Sequence, residues 1–471
     1  MKLYFNGAWH GRDESIEVIN PFDGQIVETV PRATAQDVEE AIESAKRGAE
    51  EMKSLSGYER FEILNRATAL LRQRADEMAR TLSMEEGKTL GEALFEVDRA
   101  AQTLELSGEE AKRLSGEVLP LDGGKGVKNK LGFTLRVPCG IVAAIAPFNF
   151  PLNLVCHKVG PAIAAGNSVI LKPASDTPLV SLKLVEILLE AGLPPLGISC
   201  LTGSGSLIGE KICSDPRVRK ISFTGSKEVG ERICAIAGIK KVTMELGSNC
   251  PLVVLPDADL DEVANAAVSS AYTNAGQVCI SAQRLIVVDS VREELIETMK
   301  PKVESLKAGD QLSEETGIGP MVRESEAYRV ENWIQEAVGD GARVVCGGER
   351  EGAVMQPTLL DGATSDMRVC REELFGPAVS VMSISDIDEA IRLANDTEFG
   401  LSAGLFTKDI DAAVRFAREV DSGNIHINWG PLWRTDGMPY GGLKGSGTGK
   451  EGPKYAIDEM TEMKSVVIHS E

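Results

Sequence analysis

GIVAAIAP (140–147), SVILKP (168–173), ISCLTG (198–203), VRKISFTG (218–225) and KKVTMELG (240–247) are five short apolar runs separated by amphipathic segments. Between them lie LVSLKLVEILLEAG (179–192) and KEVGERICAIAG (227–238), in which apolar residues recur at helical spacing. Runs that are apolar without alternation suit strands buried on both faces, and intervening helices suit crossovers. The stretch therefore predicts an α/β fold with a parallel, doubly wound sheet. Sheets of this kind bind nucleotides beyond the carboxyl ends of their strands.

Upstream, residues 37–111 read as helical, as in VEEAIESAKRGAEEM (38–52) and RFEILNRATALLRQRADEMARTL (60–82). Residues 118–137 break that rhythm. LPLDGGKG (119–126) reads as a turn and FTLRVP (133–138) alternates like an exposed strand. A second α/β region begins at Pro251, with strand-like PLVVLP, RLIVVD, ARVVCGG, AVSVMSI and NIHINW and helix-like DEAIRLAND and AAVRFAREV. The tail MKSVVIHSE (463–471) reads as a last strand.

At about 150 residues per domain, 471 residues suggest two or three domains. Lys plus Arg total 50 against 71 Asp plus Glu, a net charge of −21. That field repels phosphate and argues against a nucleic-acid or anionic-membrane partner. The first residues lack the apolar core of a signal peptide, and no run reaches the roughly 18 apolar residues of a membrane helix. Nine cysteines show no framework spacing, which reads as reduced thiols in a cytoplasmic protein. With no CxxC and four histidines, no metal site is expected.

Three side chains stand out as chemistry. Cys279 lies in AGQVCISAQR (275–284), after a flexible polar approach and before an apolar strand. One free cysteine among nine is more often a small buried hydrophobe, so the setting has to carry the alternative. Glu245 ends the apolar run KKVTMELG, where desolvation would raise its pKa and suit it to general-base work. Asn149 sits between prolines in PFNFP (147–151), so its amide is a turn residue or a fixed donor to an oxyanion. FTGSKEVG (223–230) and the turn Gly203, Ser204, Gly205 each open a helix whose N–H groups would meet a phosphate, although neither fits GxGxxG. Lys172 ends a strand within reach of a ribose or phosphate.

APFNFP, GNSVILKPAS, ISFTGSKEVG, VTMELGSNCP, AGQVCISAQR, EELFGPAVSV, NDTEFGLSAG and MPYGGLKGSGTGKEG together make the chain resemble the aldehyde dehydrogenase superfamily along nearly its whole length. The resemblance implies a Rossmann-type cofactor domain (1–117 and 138–247) and an α/β catalytic domain (248–455). It also implies a small β oligomerisation sheet from 118–137 and 456–471, and hence a homodimer or homotetramer. It implies Cys279 as nucleophile, Asn149 and the Cys279 N–H as oxyanion donors, and Glu245 as the base for hydrolysis of a thioester. The substrate is then a small aldehyde, oxidised to its acid.

The same resemblance assigns NADP or NAD to a wall containing Ile145, Ala146, Pro147, Phe148, Lys172, Ser175, Gly205, Thr224, Gly225, Ser226, Gly230, Leu246 and Gly247, with Glu373 and Phe375 on the nicotinamide side. Many NAD-preferring members carry glutamate three residues after the lysine. Here Ser175 stands there and does not repel a 2′-phosphate. Around the substrate it places Phe150, Leu154, His157, Val278, Ile280 and Tyr440. Arg434 is either a solvated loop charge or a grip on an anionic tail. NFPLNLVCHKVGPAIAAG is similar to the branch handling lactaldehyde, phosphonoacetaldehyde or phosphorylated glyceraldehyde. Succinate-semialdehyde enzymes tend to carry arginine where this chain has His157 and Thr273, and phosphonate-type members often have one at the position of Val278. CoA-acylating members commonly lack the glutamate found here as Glu245. A non-enzymatic, crystallin-like role fits poorly with intact Cys279, Glu245 and Asn149.

Overall fold

The computed structural model describes residues 1–470. The five apolar runs become Ile141–Ile145, Ser168–Lys172, Ile198–Cys200, Val218–Thr224 and Lys241–Glu245, which pair in parallel. Numbered along the chain, their order in the sheet is 3-2-1-4-5, so the direction of winding reverses beside Ile141–Ile145. Such a switch point opens a crevice at the carboxyl ends of the strands. Register places chemistry-bearing residues in a row there: Lys172 opposite Ile145, Ile145 opposite Phe223, and Thr224 opposite Glu245. Leu3–Phe5 and Ala8–His10 extend one edge antiparallel, and Gly447–Thr448 closes the other against Lys241–Glu245.

The helical region 37–111 forms four helices. Three start on capping boxes, Thr34 with Asp37, Ser56 with Glu59 and Thr89 with Glu92, each satisfying otherwise orphan N–H groups. The helix Asn153–Ala164 is buried on every side, including His157 and Lys158. A charge in such a position needs a partner.

The second α/β region is a seven-stranded sheet in the order Arg343–Cys346, Thr358–Asp361, Ala378–Ile384, Ala282–Val288, Cys250–Val254, Ser402–Phe406, Asn424–Ile427. Only its Arg343–Cys346 edge is antiparallel. Lys130–Pro138 pairs antiparallel with Thr461–His469, and Val118–Leu119 adds a short third strand. The two segments expected to be sticky edges thus cover one edge of each other.

The expected boundary after residue 455 differs from what is observed. Gly447–Thr448 has already returned to the first sheet, and residues 456–459 belong to the helix Pro453–Glu459 rather than to a strand. Ile457 and Met460 are buried in the core of the first half. The reason is steric as well as apolar: a Cβ at Gly447 would lie 1.9 Å from the Met244 carbonyl oxygen, so only glycine allows this edge to close.

Candidate active site

The loop carrying Cys279 is built from strained backbone. After the helix Leu260–Tyr272, Asn274 and Ala275 both have φ of +53° and Gly276 has +69°. A Cβ at Gly276 would sit 2.1 Å from the Gly376 carbonyl oxygen, so glycine is required. Left-handed conformations at other residues cost about 1–3 kcal/mol each and persist only where contacts hold them. Here the Asn274 N–H donates to Glu92 Oε1 (2.7 Å) and its Nδ2 to Glu86 Oε1 (2.9 Å). Gln277 accepts at Oε1 from the Val322 N–H (3.0 Å) and donates from Nε2 to the Asn274 carbonyl (3.2 Å).

This loop brings Cys279 Sγ to 3.1 Å from the Tyr440 hydroxyl. Cys279 keeps partial exposure through a cavity, yet the protein around the sulfur pushes its thiol up to about 12 by desolvation, partly offset by the Tyr440 hydrogen bond.

Asn149 follows the strand Ile141–Ile145 and is clamped at three points. Its Nδ2 donates to the Gln277 carbonyl (2.8 Å) and its Oδ1 accepts from the Phe150 N–H (3.1 Å). Its own carbonyl accepts from Lys88 Nζ (2.7 Å) and Asn274 Nδ2 (3.2 Å). Lys88 is buried and paired with Glu96 at 2.5 Å, whose other oxygen accepts from the Leu152 and Asn153 N–H groups at the start of the next helix. An amide nitrogen has two N–H groups, and one of Asn149's remains for an incoming oxygen.

Glu245 is buried, and neither carboxyl oxygen has a hydrogen-bond partner among the described residues. Burial, and then the charge of Glu451, raise its pKa well above the ordinary carboxylate range. Glu451 goes the other way, to about 2: burial alone would raise it, but Lys158 and Arg434 outweigh that. Lys158 Nζ donates to Glu451 (2.9 Å) and to Thr224 Oγ1 (2.7 Å), and Arg434 Nη2 donates to Glu451 (3.3 Å). The two carboxyls are thus pushed in opposite directions, Glu245 up by burial and Glu451 down by its two cations.

Arg434 is buried, with its side chain only 6% exposed, so the solvated-charge alternative is excluded. Its guanidinium lies 3.7 Å from the centre of the Tyr440 ring, and its Nε has no partner among the described residues. His157 is fully buried behind it, with Nε2 2.8 Å from Asp436 Oδ1 and 3.2 Å from Arg434 Nη2. Asp436 also accepts from Arg99 and Asn153.

A cavity of about 1100 Å³ opens at the carboxyl ends of the first sheet. Asn149, Glu245 and Cys279 share its wall with Ile145, Ala146, Pro147, Phe148, Lys172, Ser175, Gly205, Thr224, Gly225, Ser226, Leu246, Gly247, Glu373 and Phe375. Gly230 is the exception among the expected cofactor residues. It does not line the cavity, and a Cβ there would meet the Leu246 side chain at 2.5 Å, so its smallness serves helix-on-strand packing.

The wall fits a dinucleotide. The helices Gly205–Ser214 and Lys227–Ala237 begin on it, and space is open above Gly205, with nothing nearer a Cβ than Lys172 at 4.0 Å. Phe148 and Phe375 meet edge to face at 5.8 Å and give this wall an apolar aromatic corner. Glu373, pushed up to about 7 by burial, accepts from the Ser248 N–H through one oxygen (2.9 Å).

On the other side of Cys279, the expected substrate residues Phe150, Val278, Ile280 and Tyr440 pack into one apolar cluster with Cys250, Leu401 and Leu432. Leu154 is buried on the following helix, its N–H bonded to the Phe150 carbonyl (3.0 Å), and lies outside that cluster, as does His157. Lys158, Glu451, Asp436, Lys88 and Glu96 were not anticipated as site residues. The signal for Lys158 was its charge inside the apolar run LVCHKVGPAIAA.

Comparison with known proteins gives one consistent picture. The family described as the aldehyde dehydrogenase family matches residues 9–466. The chain is similar to a 3-sulfolactaldehyde dehydrogenase of Priestia aryabhattai, 48% identical over 99% of this chain and 98% of the relative. Among solved structures, it is similar to aldehyde dehydrogenase 21 from Physcomitrella patens in complex with the reaction product succinate: TM-score 0.97, 38% identity, 99% of this chain and 98% of that one. It is also similar to the glyceraldehyde-3-phosphate dehydrogenase GapN from Methanocaldococcus jannaschii complexed with NADP: TM-score 0.94, 37% identity, 98% of this chain and 100% of that one.

Proposed function

The chain belongs to the aldehyde dehydrogenase family, and from that premise we propose that Cys279, Asn149 and Glu245 carry the NAD(P)-dependent oxidation of a short aldehyde bearing an anionic group. The observation that carries the reading is the meeting of Cys279, Asn149 and Glu245 on the wall of one dinucleotide-sized cavity. The Cys279 sulfur, as thiolate, bonds to the aldehyde carbon, and the carbonyl electrons move to oxygen. The free N–H of Asn149 and the backbone N–H of Cys279 receive that oxyanion. A bound dinucleotide supplies the hydride acceptor. Glu245 then takes a proton from water as the water attacks the thioester, and the carbon–sulfur bond breaks. A raised pKa suits a carboxylate to that work near neutral pH, and its presence favours hydrolysis over transfer to CoA.

Arg434 supports an anionic substrate. It is a buried cation whose Nε has no partner among the described residues, stacked on the tyrosine that touches Cys279. The name of the 3-sulfolactaldehyde dehydrogenase relative points the same way. A panel of 3-sulfolactaldehyde, lactaldehyde and succinate semialdehyde, followed by dinucleotide reduction, tests the reading. Arg434→Lys should retain the preference for the anionic substrates over lactaldehyde, and Arg434→Met should lose it by about 100-fold in kcat/KM. Equal use of lactaldehyde by the wild type would remove the anionic assignment.

The assembly we propose is a homodimer or homotetramer. Thr461–His469 is an edge strand of its small sheet, and Leu131, Leu135, Met463, Val467 and Ile468 are exposed on it. Soluble proteins generally cover such edges and apolar faces. Nine free cysteines support a reducing, cytoplasmic setting.

A further inference from the structure

Asp176 and Arg323 face each other across the dinucleotide cavity, one from each half of the chain. Asp176 follows Ser175, just past the strand Ser168–Lys172, and Arg323 immediately precedes the helix Glu324–Gly339. Arg323 Nε donates to Asp176 Oδ1 at 2.7 Å and Nη2 donates to Oδ2, a two-pronged ion pair, and both residues line the cavity. Arg323 Nη1 has no hydrogen-bond partner among the described residues. The backbone carrying Arg323 is pinned, because the N–H of Val322 is bonded to Gln277 of the nucleophile loop.

We propose that Arg323 sets the dinucleotide preference by neutralising Asp176, so that the adenosine end of the cavity admits the 2′-phosphate of NADP. The inference rests on the functional reading above. A phosphate ester carries about −1.5 to −2 charges at neutral pH, and a bare carboxylate beside it is repulsive. The side chain of Ser175 adds no charge and donates to the Gly203 carbonyl (3.2 Å). Asp176 is the adjacent acid, and unneutralised it would do what glutamate does in NAD-preferring relatives: accept from ribose hydroxyls and repel phosphate. Arg323 cancels that charge through two of its five N–H groups and leaves the Nη1 pair and one Nη2 N–H directed elsewhere. Because Arg323 is half exposed, the effect is screened by salt.

Calorimetric titration of NADP and of NAD into the full-length protein tests this, in the wild type and in the Arg323→Ala, Arg323→Lys and Arg323→Ala/Asp176→Asn variants. Arg323→Ala should lower the NADP:NAD affinity ratio about tenfold or more, and Arg323→Lys much less. Adding Asp176→Asn to Arg323→Ala should recover most of the lost ratio, which a merely structural role of Arg323 would not do. An unmoved ratio in Arg323→Ala, or no recovery in the double variant, overturns the inference while leaving the functional reading intact. A wild-type protein that binds neither dinucleotide overturns both.

Discussion

The Cys279 sulfur and the Tyr440 hydroxyl lie 3.1 Å apart although 161 residues separate them in the chain. Tyr440 also carries the Arg434 guanidinium on its ring. Cys279 is thereby tied, through one aromatic side chain, to the buried charges of Arg434, Glu451 and Lys158. A change at Tyr440 should therefore be felt first in the ionisation of the thiol.

Alkylation of Cys279 by iodoacetamide measures that ionisation. Burial favours the neutral thiol and moves its pKa toward about 12, so the reactive thiolate grows as pH rises. The rate in the free protein should climb continuously from pH 7 to pH 9. Tyr440→Phe removes the one hydrogen bond that lowers the pKa and should slow alkylation about threefold to tenfold at a given pH. A plateau below pH 8 would contradict the desolvated thiol.

Glu245→Gln separates the two halves of the reaction. The variant should release one equivalent of reduced dinucleotide rapidly and then stall, because only hydrolysis needs the base. Intact-mass spectrometry should find an acyl group on Cys279. Steady turnover at the wild-type rate with no adduct would take Glu245 out of this role.

Lys88 holds the Asn149 carbonyl and is paired with Glu96 in a fully buried site. Lys88→Met leaves Glu96 as an unpaired buried charge, which costs about 3–5 kcal/mol. Chemical denaturation should register that loss. Glu96→Gln added to Lys88→Met should regain a substantial part of it, since the orphan charge is gone. Lack of any destabilisation in the single variant would mean that the site is wetter than the geometry implies.

Light scattering should give at least twice the monomer mass of 50.5 kDa. Removing residues 461–471 strips the edge strand that covers Lys130–Pro138 and should lower the assembly mass or cause aggregation. A well-behaved monomer from the intact chain would rule the assembly out.

Local pattern was enough for much of this molecule. The runs at 140–147, 168–173, 198–203, 218–225 and 240–247 became parallel strands because apolar segments of that length, bounded by turn residues, have few other ways to be buried. Glu245 ends such a run and Asn149 follows one, and strand ends in a parallel sheet converge on one crevice; Cys279 instead precedes its strand, Ala282–Val288, and reaches the same cavity wall through the loop before it. The partners of the buried charges were not legible. Lys158 meets Glu451 across 293 residues and His157 meets Asp436 across 279, and no spacing along the chain encodes those pairs. Gly230 looked like part of a phosphate turn, yet its role is to let Leu246 approach. Asp176, next to Ser175, carried no sign of the Arg323 that neutralises it. Secondary structure follows from the period of apolar residues over a few turns of chain. The pairing of charges depends on which distant segments share a dry interior, and only the assembled fold specifies that.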